Sequence, residues 1–313
     1  MRNKIFWVTG SNGFIGKHLV QELEKNNFKV KRFSNNKTVK DNKEVIEENK
    51  CFYMDFSSRS NIYKIIDIYG CPDIFIHLGW GDMESPMSTL HLTDNVNETE
   101  ILIDTFYSAG LDKFVFIGSM NEYGARLGPL SEDMKPKGRI TNYAKGKIQV
   151  ANYGFNKSKF YNKIFIHIRP FYVFGPGQRK GSLINELFEA SRSNRETKLG
   201  PCEHFRDYIY VLDVVEGIIR LSYANESGTV NLGSGSYIKV KDFVILFWHY
   251  LEGDLGSLKF GSHSLSDEEP EQPKSFADIN RLKAITDWQP SFSIKKGIQS
   301  TIEYLNQNRN MGT

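Results

Sequence analysis

The sequence predicts an α/β protein built on a doubly wound parallel sheet, with a smaller lobe formed by its C-terminal part. Short apolar runs typical of buried strands alternate with amphipathic helical segments as far as Pro170. A glycine-rich turn follows the first apolar run and opens a helical segment. Strands that alternate with helices in this way form parallel sheets with right-handed crossovers and helices on both faces.

The N-terminal half supplies the alternating elements in order. The predicted strands are residues 4–8, 28–33, 73–78, 113–118 and 163–169, and the predicted helices are 17–25, 62–69, 93–108 and 141–157. Residues 34–50 are polar and weakly patterned, which indicates a surface loop.

The pattern loosens after Gly175-Pro176-Gly177, where the smaller lobe is expected to begin. Its predicted elements are a helix at 182–194, a strand at 205–212, a loop at 253–275 and a final helix at 294–307. We therefore place the larger domain at residues 1–175, with the chain returning to it around 205–235, and the smaller lobe mainly at 176–313.

Composition excludes several functional classes. The 313 residues carry a formal net charge of +3 with scattered basic residues, so no nucleic-acid partner is expected. Cys51, Cys71 and Cys202 stand far apart without CxxC spacing, which argues against disulfides and against a metal site. No apolar run approaches the ~18 residues of a membrane span, and no signal peptide pattern is present, so a cytoplasmic protein is expected.

The turn Thr9–Gly16 is the most specific local signal. Gly10, Gly13 and Gly16 allow a tight turn, close backbone approach to a pyrophosphate, and helix packing on the sheet. The N-terminus of the following helix offers unpaired N–H groups and a positive dipole end to an anion. The turn therefore predicts a dinucleotide site, to which Asn12, Phe14 and Ile15 also belong.

Tyr143 and Lys147 stand one helical turn apart, so they lie on one helix face. A tyrosine with a pKa near ~10 is a poor base at neutral pH, and a nearby ammonium group favours its phenolate. A lowering of the pKa by roughly three units corresponds to about 4 kcal/mol of interaction. This spacing also occurs in surface helices without function, so the pair gains meaning only from its context.

That context is a series of ordered motifs between residue 5 and about residue 305. They are Thr9–Gly16, Ser119–Gly124 (SMNEYG), Tyr143–Lys147, Arg169–Gln178, Arg206–Asp213, Asn231–Gly235 and Trp288–Pro290. Together they resemble the extended short-chain dehydrogenase/reductase family, also called the NAD-dependent epimerase/dehydratase family, whose members act on sugar nucleotides. The resemblance implies a Rossmann-type sheet, a C-terminal substrate-binding lobe, a nucleotide-diphospho-sugar substrate and a homodimer.

The resemblance also implies roles for individual residues. Ser119, Tyr143 and Lys147 are the expected catalytic residues. The expected cofactor-binding residues are Gly10, Asn12, Gly13, Phe14, Ile15, Gly16, Arg32, Ser34, Asp55, Phe56, Leu78, Gly79, Trp80, Asn95, Tyr143, Lys147, Pro170 and Val173. The expected substrate-binding residues are Asp82, Ser119, Met120, Asn121, Tyr172, Arg179 and Arg206.

The cofactor expectation depends on Ser34, which stands where NAD-dependent members usually carry an acidic residue. An acid there would repel a 2′-phosphate, whereas serine and the nearby Arg32 can accept one. The sequence therefore favours NADPH over NAD(H). Asp55 resembles the residue that binds the adenine amino group.

Departures from the family pattern narrow the reaction. Met120-Asn121 stands where the 4,6-dehydratases carry Asp-Glu, so loss of water has no evident proton donor. The segments Ile74–Asp82 and Ser119–Gly124 are similar to reductases of nucleotide-linked 4-keto-6-deoxyhexoses, which serve surface-polysaccharide biosynthesis. We expect NADPH-dependent reduction of a keto group, at C4. An NAD-dependent sugar-nucleotide epimerase is the alternative, and a dinucleotide-binding protein without catalysis is a third.

The substrate contacts also depart from the pattern. Tyr172 replaces an asparagine that contacts substrate in many members, which leaves Arg206 and Arg179 as candidates for the diphosphate because the arginine fork suits phosphate. A structural ion pair of Arg206 with Asp207 or Asp213 remains open.

Overall fold

The computed structural model describes residues 4–35, 46–48, 51–193, 195–262 and 274–310, with side chains as far as residue 307 and none at 46–48. The strands are β1 (Ile5–Thr9), β2 (Lys29–Asn35), β3 (Ile46–Glu48), β4 (Cys51–Met54), β5 (Ile74–His77), β6 (Lys113–Ile117), β7 (Gly128–Leu130), β8 (Ile164–Pro170), β9 (Tyr172–Phe174), β10 (Thr197–Lys198), β11 (Phe205–Arg206), β12 (Tyr208–Tyr210), β13 (Gly228–Leu232), β14 (Ile238–Lys239), β15 (Leu258–Lys259) and β16 (Lys274–Ala277). The helices are α1 (Phe14–Lys25), α2 (Arg59–Tyr69), α3 (Asp94–Ser108), α4 (Asn142–Tyr161), α5 (Leu183–Arg192), α6 (Val211–Leu221), α7 (Val240–Tyr250), α8 (Asn280–Thr286) and α9 (Ile294–Asn310).

The main sheet has the order β13-β8-β6-β5-β1-β2-β4-β3. Every neighbouring pair is parallel except β3 with β4, which is antiparallel. This order confirms the predicted α/β fold with a parallel sheet. β13 returns the chain to this sheet beside β8, while the predicted domain boundaries stay a prediction.

Two apolar cores cover the two faces of the main sheet. Leu19 and Leu23 of α1 pack with Val214 and Ile218 of α6 on one face. The other face carries α2, α3 and α4, with residues such as Phe106 packed against Trp7. Central strands that are buried on both faces require continuous apolar runs, which explains why IFWV and KFVFI were recognisable in the sequence.

A third core joins α5, α7 and α9 to β9 and β12. Phe174 and Tyr210 of these strands pack edge to face with ring centroids 5.6 Å apart, and Tyr208 stacks on Phe243 of α7 at 4.0 Å. This core holds the smaller lobe against the carboxyl edge of the main sheet, where the ligand crevice of such folds lies.

Two sequence predictions differ from the structure. The loop predicted at 34–50 contains the end of β2 and the short edge strand β3, and its residues 36–45 and 49–50 lie outside the described part of the chain. The strand predicted at 205–212 is instead β11 and β12, followed by α6 from Val211. Asp207 separates the two strands because its buried carboxylate accepts N–H bonds from Ser234, Gly235 and Ala277.

None of the described helices combines the length and the apolar character that a membrane span requires. The predicted loop at 253–275 falls largely on residues 263–273, which are outside the described part of the chain.

Candidate active site

The glycine-rich turn between β1 and α1 forms a cradle that only glycine permits. Gly10 has a φ of +64°, and a Cβ there would lie 2.7 Å from the backbone nitrogen of Gly79. A Cβ on Gly16 would collide with the carbonyl of Gly10. Gly13 is the N-cap of α1 and contributes no side-chain cap, so the helix N-terminus keeps N–H groups for a ligand. The turn therefore fits a dinucleotide pyrophosphate.

A cavity of about 270 Å³ opens beside this turn, at the carboxyl ends of β1, β2 and β5. Its lining contains the predicted residues Gly10, Ser34, Phe56, Gly79, Trp80, Asp82 and Asn95. Sequence reasoning missed Asn35, His77, Gly81, Leu90, Asp94, Glu98 and Thr99, which line the same cavity. Glu98 and Thr99 follow Asn95 by three and four residues, so helical spacing could have placed them on its face.

Polar contacts fix the walls of this first cavity. Asn95 clamps the backbone of Gly81, since its Oδ1 accepts from the Gly81 N–H at 2.7 Å and its Nδ2 donates to the Gly81 carbonyl at 3.2 Å. The ring of His77 bonds to Thr9 at 2.7 Å and Thr99 at 3.1 Å, and burial lowers the pKa of His77 to about 3. His77 is therefore a neutral structural residue of the wall.

A second cavity of about 590 Å³ lies between the end of β6, α4 and the smaller lobe. It brings together Ser119, Met120, Asn121, Tyr143, Tyr172, Val173, Arg179 and Arg206 from the sequence-based set. His204, Tyr208 and Phe243 also line it. Six of the seven expected substrate residues thus share one cavity, while Asp82 lies in the first cavity instead.

Ser119 and Tyr143 both line the second cavity. Ser119 caps the short 3-10 helix Met120–Tyr123, and its Oγ also accepts from the Asn121 N–H at 3.1 Å. The N-cap Thr141 accepts from the Ala144 N–H at 3.2 Å and so begins α4, which carries Tyr143 and Lys147 on one face. These caps fix the position of the two elements that carry the predicted catalytic side chains.

Lys147 is held by a carbonyl and an aromatic face. Its Nζ donates to the Ile117 carbonyl at 2.8 Å and lies 3.9 Å from the Trp80 ring centroid. The Trp80 indole N–H in turn donates to Nδ1 of the buried His91 at 3.0 Å. Lys147 lies 5.8 Å from the Tyr143 ring centroid. Sequence reasoning missed His91, whose hydrogen bond fixes the orientation of the Trp80 indole that faces Lys147.

The ionisation of the pair differs from the expectation that Lys147 lowers the tyrosine pKa. Burial raises the pKa of Tyr143 to about 12, although the Ser119 hydrogen bond acts in the opposite direction. Burial also lowers the pKa of Lys147 to about 7, against the charge of Glu122. At neutral pH the buried lysine is therefore only partly protonated, while Tyr143 stays a protonated phenol.

A buried charge network lies directly behind Ser119. Glu122 accepts from the Ser119 N–H at 2.8 Å, from His167 at 3.1 Å and from Arg169 at 2.8 Å. Burial alone would raise the pKa of Glu122, but His167, Arg169 and the Ser119 N–H together lower it to about 2. Sequence reasoning missed this network because its members are distant in the chain.

Several predicted residues occupy other places. Arg32 makes a two-pronged ion pair with Glu24 at 2.6 and 2.8 Å, so it does not extend toward a 2′-phosphate. The Asp55 carboxylate accepts from the N–H and Oγ of Ser57 and thereby shapes its own turn. Asn12 donates to the Tyr53 hydroxyl at 3.4 Å.

The remaining predicted residues lie in strands or directly after them. Leu78 packs against the core of the main sheet, its N–H bonded to the Thr9 carbonyl at 3.3 Å. Pro170 ends β8, opposite Leu232 of β13. Val173, expected at the cofactor, lines the second cavity.

The Arg206 guanidinium stacks on an aromatic ring. Its guanidinium carbon lies 3.9 Å from the Tyr172 ring centroid. Asp213 accepts from the N–H groups of Ser291 and Phe292. Arg179 pairs with Glu84 at 2.9 Å across an exposed edge of the cleft.

No group of three or more His, Cys, Asp or Glu in the described ranges could hold a metal ion. The three cysteines are free thiols.

Comparison with known proteins agrees with this geometry. The model of the NAD dependent epimerase/dehydratase family matches residues 6–233. The UDP-glucuronate 4-epimerase of Thermodesulfobacterium geofontis is 24% identical over 319 residues, covering 97% of this chain and 96% of that protein. The CDP-abequose synthase of Salmonella typhimurium is 24% identical over 312 residues, covering 95% and 97%.

The fold is also shared with solved structures. The Thermotoga maritima UDP-glucose 4-epimerase, solved with UDP-glucose, superposes with a TM-score of 0.84 at 21% identity, covering 97% of this chain and 99% of that chain. Since the family model covers most of the chain and contains the cradle, Ser119, Tyr143 and Lys147, this protein belongs to the NAD-dependent epimerase/dehydratase family of sugar-nucleotide enzymes.

Proposed function

We propose that this chain is a nicotinamide-dependent reductase of the keto group, at C4, of a nucleotide-linked 4-keto-6-deoxyhexose used for surface polysaccharides. The observation that carries this proposal is the second cavity, in which Tyr143 and Ser119 lie beside Met120 and Asn121. Reduction of a ketone needs an acid at the developing alkoxide, whereas an epimerase must first remove a hydroxyl proton. Burial raises the pKa of Tyr143 and so favours the protonated phenol, the form that the first task requires.

The cradle of Gly10, Gly13 and Gly16 and the first cavity fit the pyrophosphate and adenosine of a nicotinamide dinucleotide. When bound, that cofactor supplies the hydride. The chain supplies binding, orientation and the proton.

The proton chemistry belongs to three side chains. Tyr143 donates its phenolic proton to the sugar oxygen, and Ser119 holds that oxygen by a hydrogen bond. Lys147, in its protonated form, stabilises the phenolate left on Tyr143. Glu122 favours the protonated lysine, because its charge raises the pKa of Lys147 against burial.

The second cavity supports binding of a nucleotide diphosphate. Arg206 and Arg179 both line it, and the Tyr172 ring orients the Arg206 guanidinium from one side. Met120 and Asn121 line the cavity next to Ser119, and neither can serve as the acid or base of a dehydration. These contacts favour reduction over loss of water.

An NAD-dependent sugar-nucleotide epimerase is the second candidate, and the curated relative named UDP-glucuronate 4-epimerase favours it. The same Ser119, Tyr143 and Lys147 serve both reactions. The purified protein separates them: retained NAD and interconversion of sugar nucleotides without net oxidation of added cofactor would favour the epimerase.

The form of the dinucleotide and the assembly are further proposals. Ser34, which stands where NAD-dependent members carry an acid, favours NADPH. The side chain of Arg32, the other candidate contact for a 2′-phosphate, is bound to Glu24. The family resemblance also supports a homodimer.

The test is a continuous assay of NADPH and NADH oxidation with 4-keto-6-deoxyhexose nucleotides. Tyr143→Phe should lower kcat by about 100-fold or more, since acid catalysis contributes that much, while dinucleotide binding stays within twofold. Tyr153→Phe, on the same helix and bonded to Asp104, is the control and should keep normal turnover. Near-normal turnover of Tyr143→Phe would overturn the proposal.

A further inference from the structure

The carboxyl end of β2 presents a carboxylate that comes from another element. Ser34 and Asn35 line the first cavity there, and neither carries a charge. Asn35 Nδ2 donates to Glu98 Oε2 at 2.7 Å, and Glu98 lies on α3 with 8% of its surface exposed. An acidic group therefore stands beside the strand end although the strand itself has none.

Asn35 also leaves an acceptor without a partner. Its Oδ1 is buried and has no hydrogen-bond partner in the described structure. The orientation of this amide follows from Glu98, because a carboxylate accepts only and so must face the Nδ2 group. A buried acceptor without a donor is unfavourable, because it has lost its hydrogen bond to water without a replacement. The arrangement thus calls for a ligand that brings a donor.

The two forms of the dinucleotide differ in this respect. A ribose 2′-hydroxyl can donate to Asn35 Oδ1 or to the Glu98 carboxylate. A 2′-phosphate is anionic at neutral pH and offers mainly acceptor oxygens. Among the described residues that line the cavity there are three carboxylates, Asp82, Asp94 and Glu98, and neither lysine nor arginine. This lining disfavours a second phosphate.

We infer that Glu98, positioned by Asn35, receives the adenosine ribose 2′-hydroxyl and makes the site select NAD(H) over NADP(H). The inference rests on the proposed function in taking a nicotinamide dinucleotide as the ligand. It is opposite to the NADPH preference that the sequence favours, since the acid missing at Ser34 is supplied by α3. Glu98 lies one helical turn after Asn95, which already lines the same cavity.

Direct binding tests the inference without any sugar substrate. Dissociation constants for NADH and NADPH are measured from nicotinamide fluorescence, and those for 5′-ADP and 2′,5′-ADP by competition. Wild-type protein should bind NADH at least tenfold more tightly than NADPH, and the adenosine fragments should show the same order. Equal affinity, or tighter binding of NADPH, would overturn the inference.

Glu98→Gln assigns the preference to this carboxylate. The variant should reduce the ratio of NADH affinity to NADPH affinity by about tenfold, because it loses both a charged hydrogen-bond partner for the ribose and the repulsion of a 2′-phosphate. Glu100→Gln removes a carboxylate from the same helix, where it bonds Gln149 instead, and should leave the ratio unchanged. The same ratio in both variants would contradict the role of Glu98.

A second variant covers the case in which Glu98→Gln fails to fold. Asn35→Ser removes the unpartnered acceptor and should weaken the binding of NADH about fivefold or more, with little effect on the binding of NADPH. An equal loss of affinity for both dinucleotides would count against the inference. Dinucleotide selection without turnover of any keto sugar would keep this inference and overturn the reductase proposal. Turnover with an NADPH preference would do the reverse.

Discussion

The substitution Glu122→Gln tests whether the buried charge behind Ser119 stabilises the fold. The carboxylate and both of its side-chain partners are nearly inaccessible: the side chains of Glu122 and His167 are fully buried, and that of Arg169 is 13% exposed. Glutamine keeps the shape and one acceptor oxygen but removes the charge. Arg169 then loses its counter-ion in a place where water cannot replace it.

The magnitude follows from the proton affinity of Glu122. Its pKa falls from 4.5 to about 2 in the folded protein. At about 1.4 kcal/mol for each tenfold change in proton affinity, the charged form contributes about 3 kcal/mol. This agrees with the roughly 3–5 kcal/mol lost when one partner of a buried ion pair is removed.

Urea unfolding followed by circular dichroism at pH 7 measures the loss. Glu216→Gln is the matched control, because it breaks an exposed Glu–Arg pair with Arg220 and should cost less than about 1 kcal/mol. The pH dependence gives a second check. Since the folded pKa is lowered, the contribution is complete above pH 4.5 and is lost as pH falls toward 2, so the difference between wild type and Glu122→Gln should shrink by about 1 kcal/mol at pH 4.

Two results would refute this reasoning. One is a Glu122→Gln protein whose free energy of unfolding at pH 7 falls no further than that of Glu216→Gln. The other is a difference from wild type that grows on acidification, because that sign would require a raised pKa in the folded state.

Two other predictions concern the same region. Burial lowers the pKa of Lys147 to about 7, while Tyr143 stays protonated up to a pH of about 12. Since Lys147 loses its charge in this range, kcat/KM for reduction should fall as pH rises from 6 to 9, and Lys147→Met should remove this dependence. A flat pH profile of the wild-type protein would contradict this prediction. Gly118→Ala should greatly reduce the yield of folded protein, measured by soluble expression and thermal unfolding, because a Cβ at Gly118 would collide with His167 and Glu122. Gly256→Ala, in an exposed 3-10 helix, is the control and should fold normally.

Local patterns in the sequence were enough to predict the sheet. The buried runs IFWV and KFVFI, the glycine-rich turn and the Tyr143–Lys147 spacing are properties of neighbouring residues, so they show without a structure. The structure places Tyr143 and six of the seven expected substrate residues, Ser119 among them, in one cavity. The sequence did not predict the edge strand β3 or the interruption at Asp207 between β11 and β12, because the pairing of these strands depends on residues far along the chain.

The sequence by itself determined the family and the parallel sheet, and it predicted which side chains transfer the proton. Only the tertiary structure decided their ionisation, because burial and neighbours distant in sequence set the pKa values of Tyr143 and Lys147. It also decided which charges surround the cofactor cavity. Glu98 reaches the end of β2 from α3, and Arg32 turns to Glu24, so the composition of one strand end did not reveal its charge.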